Sequence, residues 1–307
     1  MDIILRIFLQ VIFPVFLLLG AGVFLHRKYH FDMNTLSKMT TFVLMPTVGF
    51  VNIYQSSFTG DLLLTIVLFL VTQNLGLMIF SGVLARAMRL ERRVAATFKN
   101  SIVLNNSGNY GLSVSQLVFQ NNALGLSIQV IVTIFQNLLT HTYGLFNSVS
   151  VNVKGSKILP ELLKLPIIHA IVLGFILKAS DIAIPGFIWK PIENVSNAFL
   201  AIALFTLGAQ VAYLKLRRPS LPLFLSIFGR LIVSPLLAFL IIYTMGLQGI
   251  TAQALLIASS YPSSRNTALF ALEYDNDPDY AAETVLITTL LSGITVTAVV
   301  YMSKVIF

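Results

Sequence analysis

Residues 99–119 read KNSIVLNNSGNYGLSVSQLVF, and residues 253–274 read QALLIASSYPSSRNTALFALEY. Each has the length of one membrane crossing, roughly 20 residues, and each is apolar at its ends and polar at its centre. In the first, Asn105, Asn106, Ser107, Gly108, Asn109 and Tyr110 follow one another, with Gly111 beyond; in the second, the run is Ser259 to Arg265. Hydrocarbon offers no partner to a freed amide or carbonyl, so irregular backbone at that depth must be enclosed by protein or line a watery cavity. Gly108 and Gly111 let the chain leave helical geometry. Pro262 lacks a backbone donor and crowds the preceding turn. Two broken helices are therefore expected, with second halves starting near Asn109–Tyr110 and Ser263–Arg265. Laid together, Asn105-Asn106-Ser107-Gly108 falls on Ser259-Ser260-Tyr261-Pro262.

Working outward, the whole chain is built of such stretches. Hydrophobic residues make up 56% of the 307 and charged ones 10%, whereas a soluble domain carries about 25% charge. Candidate spans lie near 3–25, 36–56, 62–86, 95–119, 123–148, 166–178, 192–213, 220–244, 251–274 and 282–306. The first is too long for a signal peptide and runs into His26-Arg27-Lys28 rather than a cleavage site. Lysine and arginine in the short loops alternate, 14 on one side against 4 on the other, and the positive side faces the cytoplasm. An even number of spans follows, with both termini outside and the protein in the cell membrane. The expected fold is all-α, with ten transmembrane helices in two inverted five-helix repeats: residues 1–150, a cytoplasmic linker at 151–165, and residues 166–307. Inverted repeats with discontinuous helices are a common plan of secondary transporters.

The breaks create binding chemistry without catalysis. Each second half-helix presents free amides and a partial positive charge, and two such ends facing one cavity make an anion site. Arg265 lies at the second break and Arg230 about ten residues into span 8, while no Asp or Glu lies near the centre of a span. An arginine inside the membrane needs a partner, and its planar fork suits a carboxylate. The alternative for Arg265 is a bond to carbonyls freed at the break; for Arg230 it is a bond to a carbonyl or a reach toward an interface, with Glu283 early in span 10 as a structural partner open to either. Candidate substrate-binding residues are Asn105, Asn106, Gly108, Asn109, Ser263, Arg265, Asn266, Arg230 and Gln210. Asn137 and His141, four residues apart on one face of span 5, join them, although Gln136, Asn137, Gln73 and Asn74 could equally bond between helices. Gly108, Gly111, Pro262 and Pro46 are the expected crossover and hinge positions.

The chain has no cysteine and four scattered histidines, so neither a disulfide framework nor a metal site is expected, and no cofactor. There is no Walker A motif, GxSxG elbow or HExxH, which excludes the corresponding enzymes. The net charge of +8 sits in the loops that orient a membrane protein, so nucleic acid is not expected as a partner.

The segment Asn105-Asn106-Ser107-Gly108-Asn109-Tyr110-Gly111, the break around Pro262, and the N-terminal FPVFLLLGAGVFLHR resemble the auxin efflux carrier family in its bacterial, malate- and malonate-permease-like branch. The resemblance implies a scaffold of helices 1, 2, 6 and 7 and a moving transport domain of helices 3–5 and 8–10. It further implies crossed broken helices 4 and 9, elevator-type alternating access and a homodimer through the scaffold. Family members carry auxin and small organic acids; the crossover asparagines correspond to Asn105, Asn106 and Asn109, and the second crossover proline to Pro262. Gly108 stands where the plant carriers have proline, and their long central loop is missing, which points from auxin to a small bacterial carboxylate. The expected partners are that anion and the lipid bilayer, with H+ or Na+ as coupling ion if transport is uphill. A sodium-coupled symporter of similar fold and a non-transporting receptor are the rival readings.

Overall fold

A computed structural model of the protein describes residue 5 and residues 7–55, 60–120, 122–148, 166–213 and 220–307. They form α1 (Phe8–Tyr29), α2 (33–55), α3 (Gly60–Ala87), α4 (Arg92–Val103), α5 (107–118) and α6 (Ala123–Ser148). After residues 149–165, which lie outside the described residues and include the expected linker, come α7 (Pro166–Ala179), α8 (Gly186–Val211) and α9 (Leu221–Thr244). The chain ends with α10 (Gly249–Ser259), α11 (Arg265–Glu273) and α12 (Pro278–Ile306). Among the described residues, the only extended pairing is a single antiparallel bridge between Asn105 and Ser263.

Six helices (α1, α3, α6, α8, α9 and α12) are long and apolar enough to cross a membrane, and shorter apolar helices lie at Phe42–Gln55, Pro166–Ala179 and Gly249–Ser259. Their outer faces carry Leu64, Ile79, Val83, Phe187, Leu240 and Ile294 exposed, a surface suited to lipid and not to water. The protein is a multi-pass membrane protein. Spans 4 and 9 of the sequence are the divided ones, as α4–α5 and α10–α11. Span 6 stops at Ala179, and the second half of span 4 begins at Ser107, two residues before the expected start, because Asn106 caps it.

Among the described residues π-turns occur at Phe8–Ile12, Thr40–Leu44, Ser107–Leu112, Thr140–Gly144 and Gly229–Val233. The first, second and last of these end two residues before a proline: Pro14, Pro46 and Pro235. A proline ring collides with the carbonyl four residues back and offers it no donor. A wider turn moves that carbonyl aside and lets the helix continue. Pro46 is thus built into α2 by a π-turn.

The packing falls into two neighbourhoods. In one, α1 lies on α8 and α2 on α7 and α8. A Cβ at Gly22 would stand 2.1 Å from the Phe205 carbonyl oxygen, and one at Gly208 would stand 2.0 Å from that of Leu19. These two backbones touch. In the other, α3, α4, α6, α9, α10, α11 and α12 pack among themselves. Arg93 before the middle of α4 pairs with Asp275 after α11 at 2.6 Å, both exposed, so these two ends share a side, as the loop alternation requires.

Candidate functional site

The two breaks lie against each other. The Asn106 amide donates to the Pro262 carbonyl and the Ser264 amide to the Leu104 carbonyl, both at 2.9 Å, around the Asn105–Ser263 bridge. The local two-fold thus relates Asn105 to Ser263, four residues from the sequence alignment that set Asn105 on Ser259. The alignment matched polarity, while the pairing follows hydrogen bonding.

The backbone groups freed by the breaks are nearly all reused, as burial demands. Pro262 cannot serve the Ala258 carbonyl, and the Asn105 side-chain amide donates to it instead (3.3 Å). The Ser263 hydroxyl takes the Ser101 carbonyl at 2.7 Å, and the Ser263 amide goes to Thr288 Oγ1 at 3.2 Å. Gln136 Oε1 receives the Asn105 amide at 3.5 Å and its Nε2 reaches Asn74 Oδ1 at 3.2 Å. Gln129 and Thr133 both donate to the Ser107 carbonyl. Replacing Asn105 by Leu should leave the Ala258 carbonyl orphaned and cost about 1–3 kcal/mol, measured as a lowered melting temperature of the purified protein.

Arg230 belongs to this framework. Its guanidinium donates to the Ile102 carbonyl (2.8 Å), to that of Ser259 (2.5 Å) and to the Ser234 hydroxyl. The first two carbonyls end α4 and α10, so the cation sits where two helix C-termini meet, with the negative ends of both dipoles toward it. Ser234, itself bonded to the Ser259 carbonyl at 2.8 Å, receives Gln73 Nε2 at 3.4 Å. Arg230 is 1% exposed. Of its readings from sequence, the structure displays the bond to freed carbonyls.

The opposite, positive ends open onto a cavity of about 240 Å³. Ser107, Gly108 and Asn109 line it from the start of α5, and Ser264, Arg265 and Asn266 from the start of α11; Asn105 and Asn106 lie between. Asn137 and Thr140 of α6, Met45 of α2, and Pro166 and Ile167 of α7 complete much of the wall. Arg265 is the charged residue of this wall, which holds no acid among the described residues. Ser264 caps α11 by accepting the Asn266 amide at 3.2 Å, and Asn106 Oδ1 accepts the Tyr110 amide at 3.4 Å. The Nδ2 of Asn106 and the Oδ1 of Asn105 are buried without a hydrogen-bond partner. A native protein rarely keeps such atoms idle. The cavity therefore gathers two helix N-termini, a guanidinium and an unused amide donor, the chemistry of an anion receptor.

Of the residues expected from sequence, Asn105, Asn106, Gly108, Asn109, Asn137, Arg265 and Asn266 are brought together here. Ser263 stands behind them in the crossing, and Gln210 lies in α8 away from the described wall. His141 follows Asn137 by one turn of helix. Gly111 is a close-approach position, since a Cβ there would meet the Tyr261 ring at 2.6 Å and Gln129 Nε2 at 2.8 Å. Pro46 faces a separate apolar groove with Phe50, Leu173 and Val195. Sequence reading missed Ser264, which a helix-capping pattern before Arg265 could have found, and Met45, Pro166 and Ile167, which reach the cavity from other helices and carry no local signal.

Residues 149–301 match the family described as Membrane transport protein. An uncharacterized transporter of Methanothermobacter thermautotrophicus is 26% identical over 267 residues, 85% of this chain and 86% of its own. An uncharacterized transporter of Methanocaldococcus jannaschii is 25% identical over 275 residues, covering 84% and 85%. A provisionally named malonate transporter of Rhizobium meliloti is 29% identical over 114 residues, 37% of this chain and 36% of its own. Residues 149–301 are thus similar to the membrane transport protein family, that of the auxin efflux carriers.

Proposed function

We propose that the protein is a secondary transporter of small organic anions, mono- or dicarboxylates, bound at the crossing of the broken helices. The observation that carries this reading is the convergence on one cavity of the N-termini of α5 and α11, Arg265 and the idle Nδ2 of Asn106. A cavity of about 240 Å³ lies below the ~300 Å³ at which drug-sized ligand pockets begin, and suits a substrate of few heavy atoms. Malonate, named for the Rhizobium relative, is the first candidate. The cavity wall includes the start of α7 and Leu269 and Phe270 of α11.

Alternating access is supplied by movement of α3–α6 and α9–α12 against α1, α2, α7 and α8. The direct backbone contact of α1 with α8 suits a rigid scaffold, and the same neighbourhood forms the homodimer. The protein sits in the cell membrane with both termini outside. Thermal-shift measurements on purified protein with malonate, malate and acetate, followed by counterflow of the labelled hit in proteoliposomes, test the reading. A carboxylate that both stabilises the protein and exchanges across the membrane is the expected result. Binding without counterflow makes the protein a receptor, and no response to any carboxylate removes the anion reading altogether.

A further inference from the structure

Where the C-termini of α4 and α10 meet, the carbonyls of Ile102 and Ser259 and the hydroxyl of Ser234 converge on one buried point, with the Val103 carbonyl at the edge. Carbonyls and half-helix C-terminal ends at broken membrane helices are the ligands that transporters use to hold a coupling cation. Here the point is filled by a side chain of the protein itself, the Arg230 guanidinium, which keeps its charge in every phase of the cycle. Two further carbonyls at the breaks are also engaged: that of Ala258 by Asn105 and that of Ser101 by Ser263. Ile102 and Ser259 end α4 and α10, the half-helices that run into the breaks, and the cavity lies beyond those breaks at the starts of α5 and α11.

We infer that Arg230 is a resident cation occupying the place of a coupling ion, so that the protein moves its anion without Na+. The inference rests on the anion-transport reading, and it makes the positive charge at the crossing a permanent part of the machinery. Sodium would have to displace a guanidinium held by the Ile102, Val103 and Ser259 carbonyls and the Ser234 hydroxyl.

Removing the side chain should uncover the oxygen cluster and create a demand for a small or planar cation. The experiment compares the unaltered protein with Arg230→Ala and Arg230→Gln in NaCl, choline chloride and guanidinium chloride at equal ionic strength. Melting temperature and carboxylate flux are both recorded. The unaltered protein is expected to melt and transport alike in Na+ and choline. Arg230→Ala is expected to lose about tenfold or more of its flux in choline, as befits removal of a set of charge-assisted bonds, with melting temperature and flux recovered by Na+ or guanidinium. Arg230→Gln retains an amide donor for the carbonyls and serves if the alanine variant fails to fold. Flux of the unaltered protein that collapses in choline overturns the inference, as does a folded variant whose melting temperature is indifferent to all three cations. If no carboxylate is transported by any form, the anion reading has failed, and the cation dependence of the melting temperatures still decides the role of Arg230.

Discussion

Exchanging Arg265 for glutamine should lower carboxylate flux by a factor of about a hundred or more and leave the purified protein folded. A charged hydrogen bond contributes about 1.5–3 kcal/mol, and a factor of ten corresponds to about 1.4 kcal/mol, so loss of a two-pronged contact reaches that range. Arg265 occupies the first turn of α11, where a cation opposes the helix dipole at a cost of about 0.3–1 kcal/mol. An anion in the cavity would be stabilised by both helix ends and by the guanidinium together. Lysine at this position keeps the charge and loses the fork, so intermediate flux is expected. Flux and melting temperature measured on the same preparation separate binding from folding. Glutamine with undiminished flux would remove Arg265 from the site.

The other large effect is structural. Gly208→Val should prevent a stable fold, because its Cβ would lie 2.0 Å from the Leu19 oxygen and 2.8 Å from the Leu19 carbonyl carbon. The obstacle is backbone, which no rotamer change can move. Small residues are what allow membrane helices to approach this closely, and overpacking costs typically about 1–3 kcal/mol even where side chains can yield. Gly22→Val meets the Phe205 oxygen at 2.1 Å and should act alike; the two together should cost less than their sum, since either one already parts the helices. Gly20→Ala is the control, with nothing within 4 Å of its Cβ. Yield of monodisperse protein and melting temperature are the readouts. A Gly208→Val protein as stable as the control would show that α1 and α8 do not touch.

Much of this was legible in the sequence for one reason: polarity at the centre of a membrane span demands enclosure, and so Asn105–Asn109 and Ser263–Asn266 announced themselves. The division of α4–α5 and α10–α11 and seven residues of the cavity wall followed. The role of Arg230 was harder. Its partners are main-chain carbonyls 128 and 29 residues away, and carbonyls have no letter in a sequence. The four-residue error in relating the two breaks has the same origin, since side-chain polarity was compared where backbone pairing decides. Gln73, Asn74 and Gln136, read as polar residues of open purpose, serve the framework through Ser234 and the Asn105 amide. Met45 and Ile167 could not be found from their own neighbours, because a cavity shared by distant helices leaves no local pattern.

Reciprocal amide-to-carbonyl links between residues 104–106 and 262–264 have a mechanical consequence. One strand cannot slip along the other without breaking both links in a medium that offers no substitute, so the knot of four helix ends holds together as a single bead. In the transport cycle proposed above, substrate, guanidinia and asparagines would then keep their mutual distances from one face of the bilayer to the other. Affinity at the start and end of that stroke would be set by the surroundings the bead passes through, chiefly α2 and α7, and not by rearrangement within it.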